Sequence, residues 1–278
     1  MSSVRARAAE VVQPRGGYVK LSDFECVELD DGLVLYETES VHASIVGMVV
    51  DYMTRFLSGT PIKEAFQISL EGASIAEKHG VKKATAIAAK LAKNIQGMDD
   101  FSIECACKLV TFDVWKRNIA DAFYARGYQD TVVDTETSEN IRIMIERCLT
   151  FTHEYGPVVN DGFTFEPENG TLEAYLKVIK TGKGSFGGYT ATVDSGDGDF
   201  LTKDTLWDFK VTKSKPNKNN ILQLIMYWIM GKHSGKKIFR DISKIGMFNP
   251  RTFTVYILDV SSIPVEVIET IEQDVICY

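Results

Sequence analysis

Two short segments on either side of Lys203-Asp204 constrain the fold of this chain most strongly. Residues 197–201 and 205–212 largely alternate polar and apolar side chains, which is the two-residue period of a β-strand. Two such segments joined by a tight polar turn predict an antiparallel hairpin. The chain is therefore expected to contain a β-sheet, and one face of this hairpin carries acidic side chains.

The predicted hairpin places acidic side chains opposite one another. A two-residue loop sets Asp199 opposite Asp208 and Asp197 opposite Lys210, and all four side chains then share one face. Carboxylates about 5 Å apart across two strands repel each other unless a cation lies between them. Mg²⁺ suits two carboxylates, because it prefers oxygen ligands and keeps several waters. A shift of one residue in the pairing would move the carboxylates to opposite faces, so the hypothesis depends on the register.

The residues around these carboxylates favour burial of the hairpin in a larger sheet. Its opposite face and outer end are expected to be apolar, through Trp207, Phe209, Val211, Phe200, Leu201 and Leu206. Lys210 beside a metal could orient or deprotonate water, or hold a phosphate group. Asp208-Phe209-Lys210 is also the only Asp/Glu-x-Lys tripeptide in a chain with 38 acidic residues. The residues alone leave one alternative open, a solvated hairpin in which Asp197 pairs with Lys210 and the other acids face water.

Apolar periodicity divides the chain into two parts that meet near Gly156-Pro157. Helices are expected in the first part at about 41–57, 63–78, 82–95, 112–125 and 138–153. The second part is expected to hold strands at about 163–165, 189–193, 245–248 and 253–260, with helices over Leu172–Lys180, over Asn220–Met230 closed by Gly231, and from Val265.

These elements predict an α/β fold in which helices flank a mixed central sheet. A largely helical N-terminal half over about 40–155 is expected to join an α/β core over about 156–278, and both belong to a single domain over 21–278. Residues 1–20 are polar and basic without an apolar face, so they are expected to form a flexible tail.

Composition excludes several classes of protein. The formal net charge of −7 argues against a protein that coats nucleic acid by global attraction, because that mode needs a surplus of Lys and Arg. Five cysteines without a Cys-x-x-Cys pair predict buried free thiols rather than disulfides or a zinc ribbon. The sequence has neither an apolar leader nor a run of about eighteen apolar residues, so the prediction is a cytoplasmic protein without membrane contact.

The order and spacing of these motifs resemble a known family. Gly196-x-x-Asp199, Asp208-x-Lys210 and Gln223-x-x-x-Tyr227 together resemble the PD-(D/E)XK nuclease superfamily, in its RecB-like exonuclease branch. The resemblance implies a restriction-endonuclease-like core and hydrolysis of DNA phosphodiester bonds by an exonuclease that uses Mg²⁺, or Mn²⁺ as a substitute. It also implies that Asp199 and Asp208 bind the metal and that Lys210 assists water, with Gln223 and Tyr227 on the helix after the core strands.

Two further sequence features bear on this resemblance. The helix of Gln223 and Tyr227 is apolar nearly all round, which is typical of a buried helix, and residues four apart share one face. Bonding of both side chains to backbone in the core is the alternative. Gly47-x-x-x-Asp51 resembles the Gly-x-x-x-His element of many RecB-like nucleases with Asp in place of His, so Asp51 is a candidate metal ligand or simply part of a polar stripe. The cysteines that hold an iron–sulfur cluster in some relatives have no counterpart, and no cluster is expected.

A group of lysines follows the strand of Lys210. Lys213, Lys215 and Lys218 are candidates for contacts to DNA phosphates. A motif for base-specific recognition is not visible. Two other functions stay open, a catalytically silent nuclease-fold protein that binds nucleic acid or a partner, and a phosphoesterase that acts on nucleotides.

Overall fold

A computed structural model describes residues 2–278, and these divide into two compact units. Unit 1 combines the N-terminal 29 residues with Thr152–Tyr278, and unit 2 is Asp30–Phe151. The single domain over 21–278 stays a prediction, and the described residues divide into two compact units. Unit 2 coincides approximately with the predicted helical half, but periodicity alone does not show that the N-terminal residues join the distant C-terminal part.

Helices and strands are numbered along the chain. The helices are α1 Val4–Glu10, α2 Ala43–Leu57, α3 Ile62–Ala65, α4 Gln67–Lys78, α5 Ala84–Asn94, α6 Asp100–Val110, α7 Asp113–Arg117, α8 Ile119–Ala122, α9 Thr135–Tyr155, α10 Leu172–Thr181, α11 Lys218–Ser234 and α12 Val265–Thr270, which continues as a π-helical segment, Ile271–Ile276. The strands are β1 Ser2–Ser3, β2 Glu25–Glu28, β3 Asn160–Thr164, β4 Ser185–Phe186, β5 Tyr189–Thr190, β6 Val193–Ser195, β7 Asp197–Leu201, β8 Thr205–Phe209, β9 Lys244–Asn249 and β10 Thr254–Asp259.

Unit 2 is built of helices α2 to α8 and most of α9. Side-chain caps begin several of them, as at α6, where Asp99 Oδ1 accepts a hydrogen bond from Ser102 N at 3.0 Å. Helices α4 and α7 approach closely at Gly72 of α4 and at Phe112, the residue before α7. A Cβ on Gly72 would lie 2.0 Å from the backbone oxygen of Phe112. The predicted helices 41–57, 82–95 and 138–153 are confirmed, whereas 63–78 is divided at Phe66 and 112–125 at the extended residue Asn118, and α6 was not predicted.

A buried carboxylate lies inside unit 2. Asp113 is 1% exposed, and it accepts hydrogen bonds from Tyr52 Oη at 2.6 Å and from Ser69 Oγ. Arg117 adds an ion pair at 3.5 Å. Burial raises the pKa of Asp113 above its usual range despite these partners. Ser69 is fully buried, so this network stabilises the packing of α2, α4 and α7 rather than forming an accessible site.

A six-stranded mixed sheet forms the centre of unit 1, in the order β2-β10-β9-β8-β7-β3. All neighbours are antiparallel except β8 and β9, which are parallel and are connected through α11. Two small sheets, β1 with β6 and β4 with β5, complete the unit. The coarse prediction of an α/β fold with a mixed central sheet is confirmed.

Helix α11 covers one face of this sheet. Leu201, Leu206, Ile245 and Met247 occupy neighbouring positions on that face and belong to the same buried cluster as most of α11. The opposite face carries aromatic side chains, among which Phe200 and Trp207 stack with ring centres 6.4 Å apart. The sheet thus has one aliphatic and one aromatic side, and only the aliphatic side includes the carboxylates of the hairpin.

Residues 2–10 form a short strand and a helix, which differs from the prediction of a flexible tail over residues 1–20. Helix α1 begins at the cap Ser3 and packs on α11, with Val4 and Ala8 buried. Gln13, just after α1, donates a hydrogen bond to Oδ1 of Asn219 in α11 at 2.9 Å. A helix of two turns shows too few apolar positions for a period to be recognised, and its stability comes from packing rather than from its own sequence.

Two smaller expectations also need correction. Helix α11 does not end at Gly231 but continues to Ser234, and Gly235 ends it at φ 71°. Gly231 lies inside the helix. A larger side chain would not fit there, because the ring of Phe239 would be 2.4 Å from a Cβ at that position. All five cysteines are free, but only Cys105, Cys107 and Cys148 are buried, whereas Cys26 on the edge strand β2 and Cys277 near the C-terminus are exposed. None of the helices in residues 2–278 combines the length and the apolar character needed to cross a membrane.

Candidate active site

The hairpin of β7 and β8 has the predicted register. Phe200 pairs with Trp207 and Leu201 with Leu206, and Thr202 N donates to Thr205 O at 3.0 Å around the two-residue loop. The same register carried one step further sets Asp199 opposite Asp208. Both carboxylates therefore lie on the side of the sheet that α11 covers.

Asp208 is the most deeply buried acid of the site, at 4% exposure. Asp208 pairs with Met247 on the neighbouring strand β9. Lys210 Nζ lies 2.7 Å from Asp208 Oδ2. The contact is an ion pair that lacks the geometry of a hydrogen bond. Oδ2 receives no hydrogen bond from any other described residue. Burial raises the pKa of the Asp208 carboxyl, while the positive charges of Lys210 and Arg5 oppose that rise.

Lys210 is held by a chain of polar side chains from α11. Its ammonium donates to Gln223 Oε1 at 3.3 Å, and Gln223 Nε2 donates to Tyr227 Oη at 2.7 Å. Gln223 and Tyr227 are both buried, so each polar atom needs such a partner. Burial and the negative charges of Asp208, Asp199 and Asp197 raise the pKa of Tyr227 well above its usual range. The bond to Tyr227 fixes the Gln223 amide so that its oxygen faces Lys210.

Asp199 is half-buried, and its carboxylate accepts a hydrogen bond from the backbone of β8. Its Oδ2 accepts a hydrogen bond from Phe209 N at 2.5 Å, where the backbone pairing of β7 with β8 ends. This bond holds the carboxylate against β8. Gly198 beside it is paired with Phe163 of β3, and a Cβ there would lie 1.9 Å from the Phe163 ring. Asp197 is exposed at the open end of the strand.

The donors of this site fit a small, hard cation. Within residues 2–278, no three His, Cys, Asp or Glu side chains form a group that could hold a metal through protein ligands alone. Mg²⁺ does not need three, because it is commonly held by one or two carboxylates together with waters and substrate phosphates. Asp208 Oδ2 is a buried oxygen that faces the Lys210 ammonium at 2.7 Å, so this position favours positive charge. Asp199 and Asp208 are thus the residues that would hold the ion.

Arg5 is a neighbour of the site that sequence reasoning missed. It is exposed on α1, and its charge opposes the rise in the pKa of Asp208 that burial causes. Helix α1 is brought there by β1, whose Ser2 pairs with Val193, and by Val4, whose side chain would lie 2.6 Å from a Cβ on Gly196. The available signal was the pair Val4 and Ala8, one turn apart after a serine cap.

The other predicted residues are Asp51 and three lysines that follow β8. Lys213, Lys215 and Lys218 are exposed, Lys213 and Lys215 in the loop after β8 and Lys218 as the first residue of α11. Asp51 is half-buried on α2 of unit 2; burial raises the pKa of the Cys148 thiol, and the charge of Asp51 adds to that rise. Its role as a metal ligand stays a prediction.

Comparison with known proteins identifies no relative: no family model, no curated protein and no solved structure matches this chain. The site must therefore be judged on its own geometry.

Proposed function

We propose that this chain is a metal-dependent nuclease that hydrolyses DNA phosphodiester bonds, with Asp199, Asp208 and Lys210 as its active centre. The observation that supports this most directly is the position of Lys210, whose ammonium lies 2.7 Å from a carboxylate oxygen of the buried Asp208. A carboxylate pair with an adjacent lysine is also the arrangement expected from the resemblance to PD-(D/E)XK nucleases. Exonuclease action and a restriction-endonuclease-like core are part of the same proposal.

The chain supplies a positioned ammonium group. Of the three N–H donors of Lys210, one goes to Gln223 and one faces Asp208, so the third is available for water or a phosphate oxygen. Tyr227 holds Gln223, and Gln223 in turn holds Lys210, so the ammonium is placed before substrate arrives. Mg²⁺ or Mn²⁺ bound by Asp199 and Asp208 would supply positive charge against the phosphate.

The deciding experiment measures Mg²⁺- and Mn²⁺-dependent degradation of end-labelled linear and circular DNA, single- and double-stranded. Lys210→Ala and Asp208→Asn are compared with the wild type, and we expect each to reduce the rate by about a hundredfold or more. Asp204→Asn is the matched control, since Asp204 lies in the turn of the same hairpin and pairs with Lys244 at 3.0 Å. Cutting that survives in both site variants would exclude this active centre, and cutting of circles would exclude a strict exonuclease.

One observation favours a second candidate, a protein of the same fold that binds nucleic acid without cutting it. Lys210 already neutralises Asp208 in the absence of any other cation. In that case calorimetry would detect no Mg²⁺ binding, and no variant of the site would alter DNA binding in the presence of Mg²⁺. A nucleotide phosphoesterase has no observation in its favour.

A further inference from the structure

Unit 2 carries an aromatic groove that the proposed active centre does not use. A cavity of about 470 Å³ lies between the end of α4, helices α7 and α8 and the loop that follows them. Its volume is larger than a nucleobase and comparable with that of a small ligand site. All of its walls belong to unit 2, so the groove is a feature of that unit alone.

The walls of this groove present flat aromatic surfaces. His79 stacks on Trp115 with ring centres 5.8 Å apart, and Phe123 meets Trp115 edge to face at 5.1 Å. On the far side, Tyr128 stacks on Phe112 at 5.7 Å. Phe123 is 59% exposed, so its ring is accessible from the groove.

Two cations without ion pairs line the same groove. Lys82 and Arg126 are exposed, and neither makes a salt bridge within residues 2–278. By contrast, Lys116 and Arg117 on the neighbouring helix α7 pair with Glu71 and Asp113. One carboxylate, Asp130, lines the groove as well. Positive charge is therefore in excess at this place, although the chain as a whole has a net charge of −7.

We propose that this groove binds a single strand of nucleic acid, with a base stacked on Phe123 and its phosphates beside Lys82 and Arg126. The exposed ring of Phe123 beside two cations matches the chemistry of a single strand, whose bases are free to stack and whose backbone carries the complementary charge. A duplex does not fit, because its base faces are already stacked. The choice of nucleic acid as the occupant rests on the proposed nuclease function, but the groove and its charges do not.

The test is fluorescence anisotropy of a labelled oligothymidylate of about 12 nucleotides, which is a usual site size for such proteins. EDTA is present throughout, so binding is measured without cutting. We expect Phe123→Ala to weaken binding by about tenfold, the effect of losing one stacked base. Arg126→Gln is expected to reduce the slope of log affinity against log salt by about 0.7, as for one phosphate contact of a single strand.

Matched controls come from the same unit. Phe101→Ala removes a phenylalanine that is 58% exposed on α6, outside the groove, and Lys90→Gln removes an exposed cation on α5. Both are expected to bind as the wild type does. Equal binding by Phe123→Ala and Phe101→Ala, an unchanged salt slope for Arg126→Gln, or equal affinity for duplex or free thymidine monophosphate would overturn the proposal. A wild type that binds but never cuts would overturn the nuclease function and leave the groove assignment intact.

Discussion

Gln223 is the residue on which the position of Lys210 depends. Gln223→Met keeps the size of the side chain but removes both the acceptor for Lys210 and the donor to Tyr227. We expect the rate of DNA cutting at saturating substrate to fall by about tenfold, which corresponds to one hydrogen bond to a charged group. Gln67→Met, at an exposed glutamine of unit 2, is the control, and equal rates for both variants would contradict the positioning role.

Gly198 is the residue that sets the distance between β3 and β7. Gly198→Ala places a methyl group against the Phe163 ring, and we expect the free energy of unfolding to fall by about 1–3 kcal/mol. Cutting should fall as well, because Asp199 follows directly. The double variant Gly198→Ala with Phe163→Ala should lose less than the sum of the single changes in urea unfolding. Gly127→Ala, where nothing lies within 4 Å, should unfold as the wild type does.

Asp113 makes the stability of the protein depend on pH. Its folded-state pKa is raised, so the folded protein binds a proton that the unfolded chain releases. The stability that this proton contributes is complete below the unfolded pKa of 3.8 and is lost as pH rises through the folded pKa. We expect the melting temperature of wild type minus that of Asp113→Asn to decrease with rising pH in this window. A difference that is constant or increases with pH would contradict the assignment.

Among the elements, α1 provides the clearest test, because it was expected to be flexible. Val4 is fully buried in the structure, whereas Val12, just after the helix, is 94% exposed. We expect Val4→Asp to lower the free energy of unfolding by about 2–4 kcal/mol, through a lost apolar contact and a buried charge. Val12→Asp should have almost no effect. Equal urea denaturation curves for the two variants would show that α1 does not dock on α11.

Elements with a clear local period could be predicted from the sequence, and those held by distant partners could not. Helices α2, α9 and α11 have long apolar faces, and the β7–β8 hairpin has a tight turn, so each was predicted with bounds close to those observed. Strand β2 and helix α1 lie at the N-terminus and depend on β10 and α11, far away in sequence. The hairpin and α11 have clear local patterns, so the sequence predicts the site residues there, which are Asp199, Asp208, Lys210, Gln223 and Tyr227. Arg5 lies on α1, which has no such pattern, so the sequence does not predict it.

At the scale of the whole molecule, a net charge of −7 means that the proposed contact with nucleic acid depends on local basic clusters. We expect replacement of Lys213, Lys215 and Lys218 by Gln to reduce the slope of log affinity against log salt by about 2, measured with EDTA present. Replacement of the exposed lysines Lys63, Lys90 and Lys93 is the control with equal change of net charge. Equal slopes for the two triple variants would mean that the first group makes no phosphate contacts.

The discontinuity of unit 1 has a consequence for how the protein is made. Helix α1 is synthesised before its partner α11, and the whole of unit 2 is synthesised between them. Closing so long a loop is slow. We therefore expect Asp30–Phe151 to fold before α1 packs on α11. Arg5 then reaches Asp208 late in assembly, and a ribosome-bound chain would hold both carboxylates without this basic neighbour.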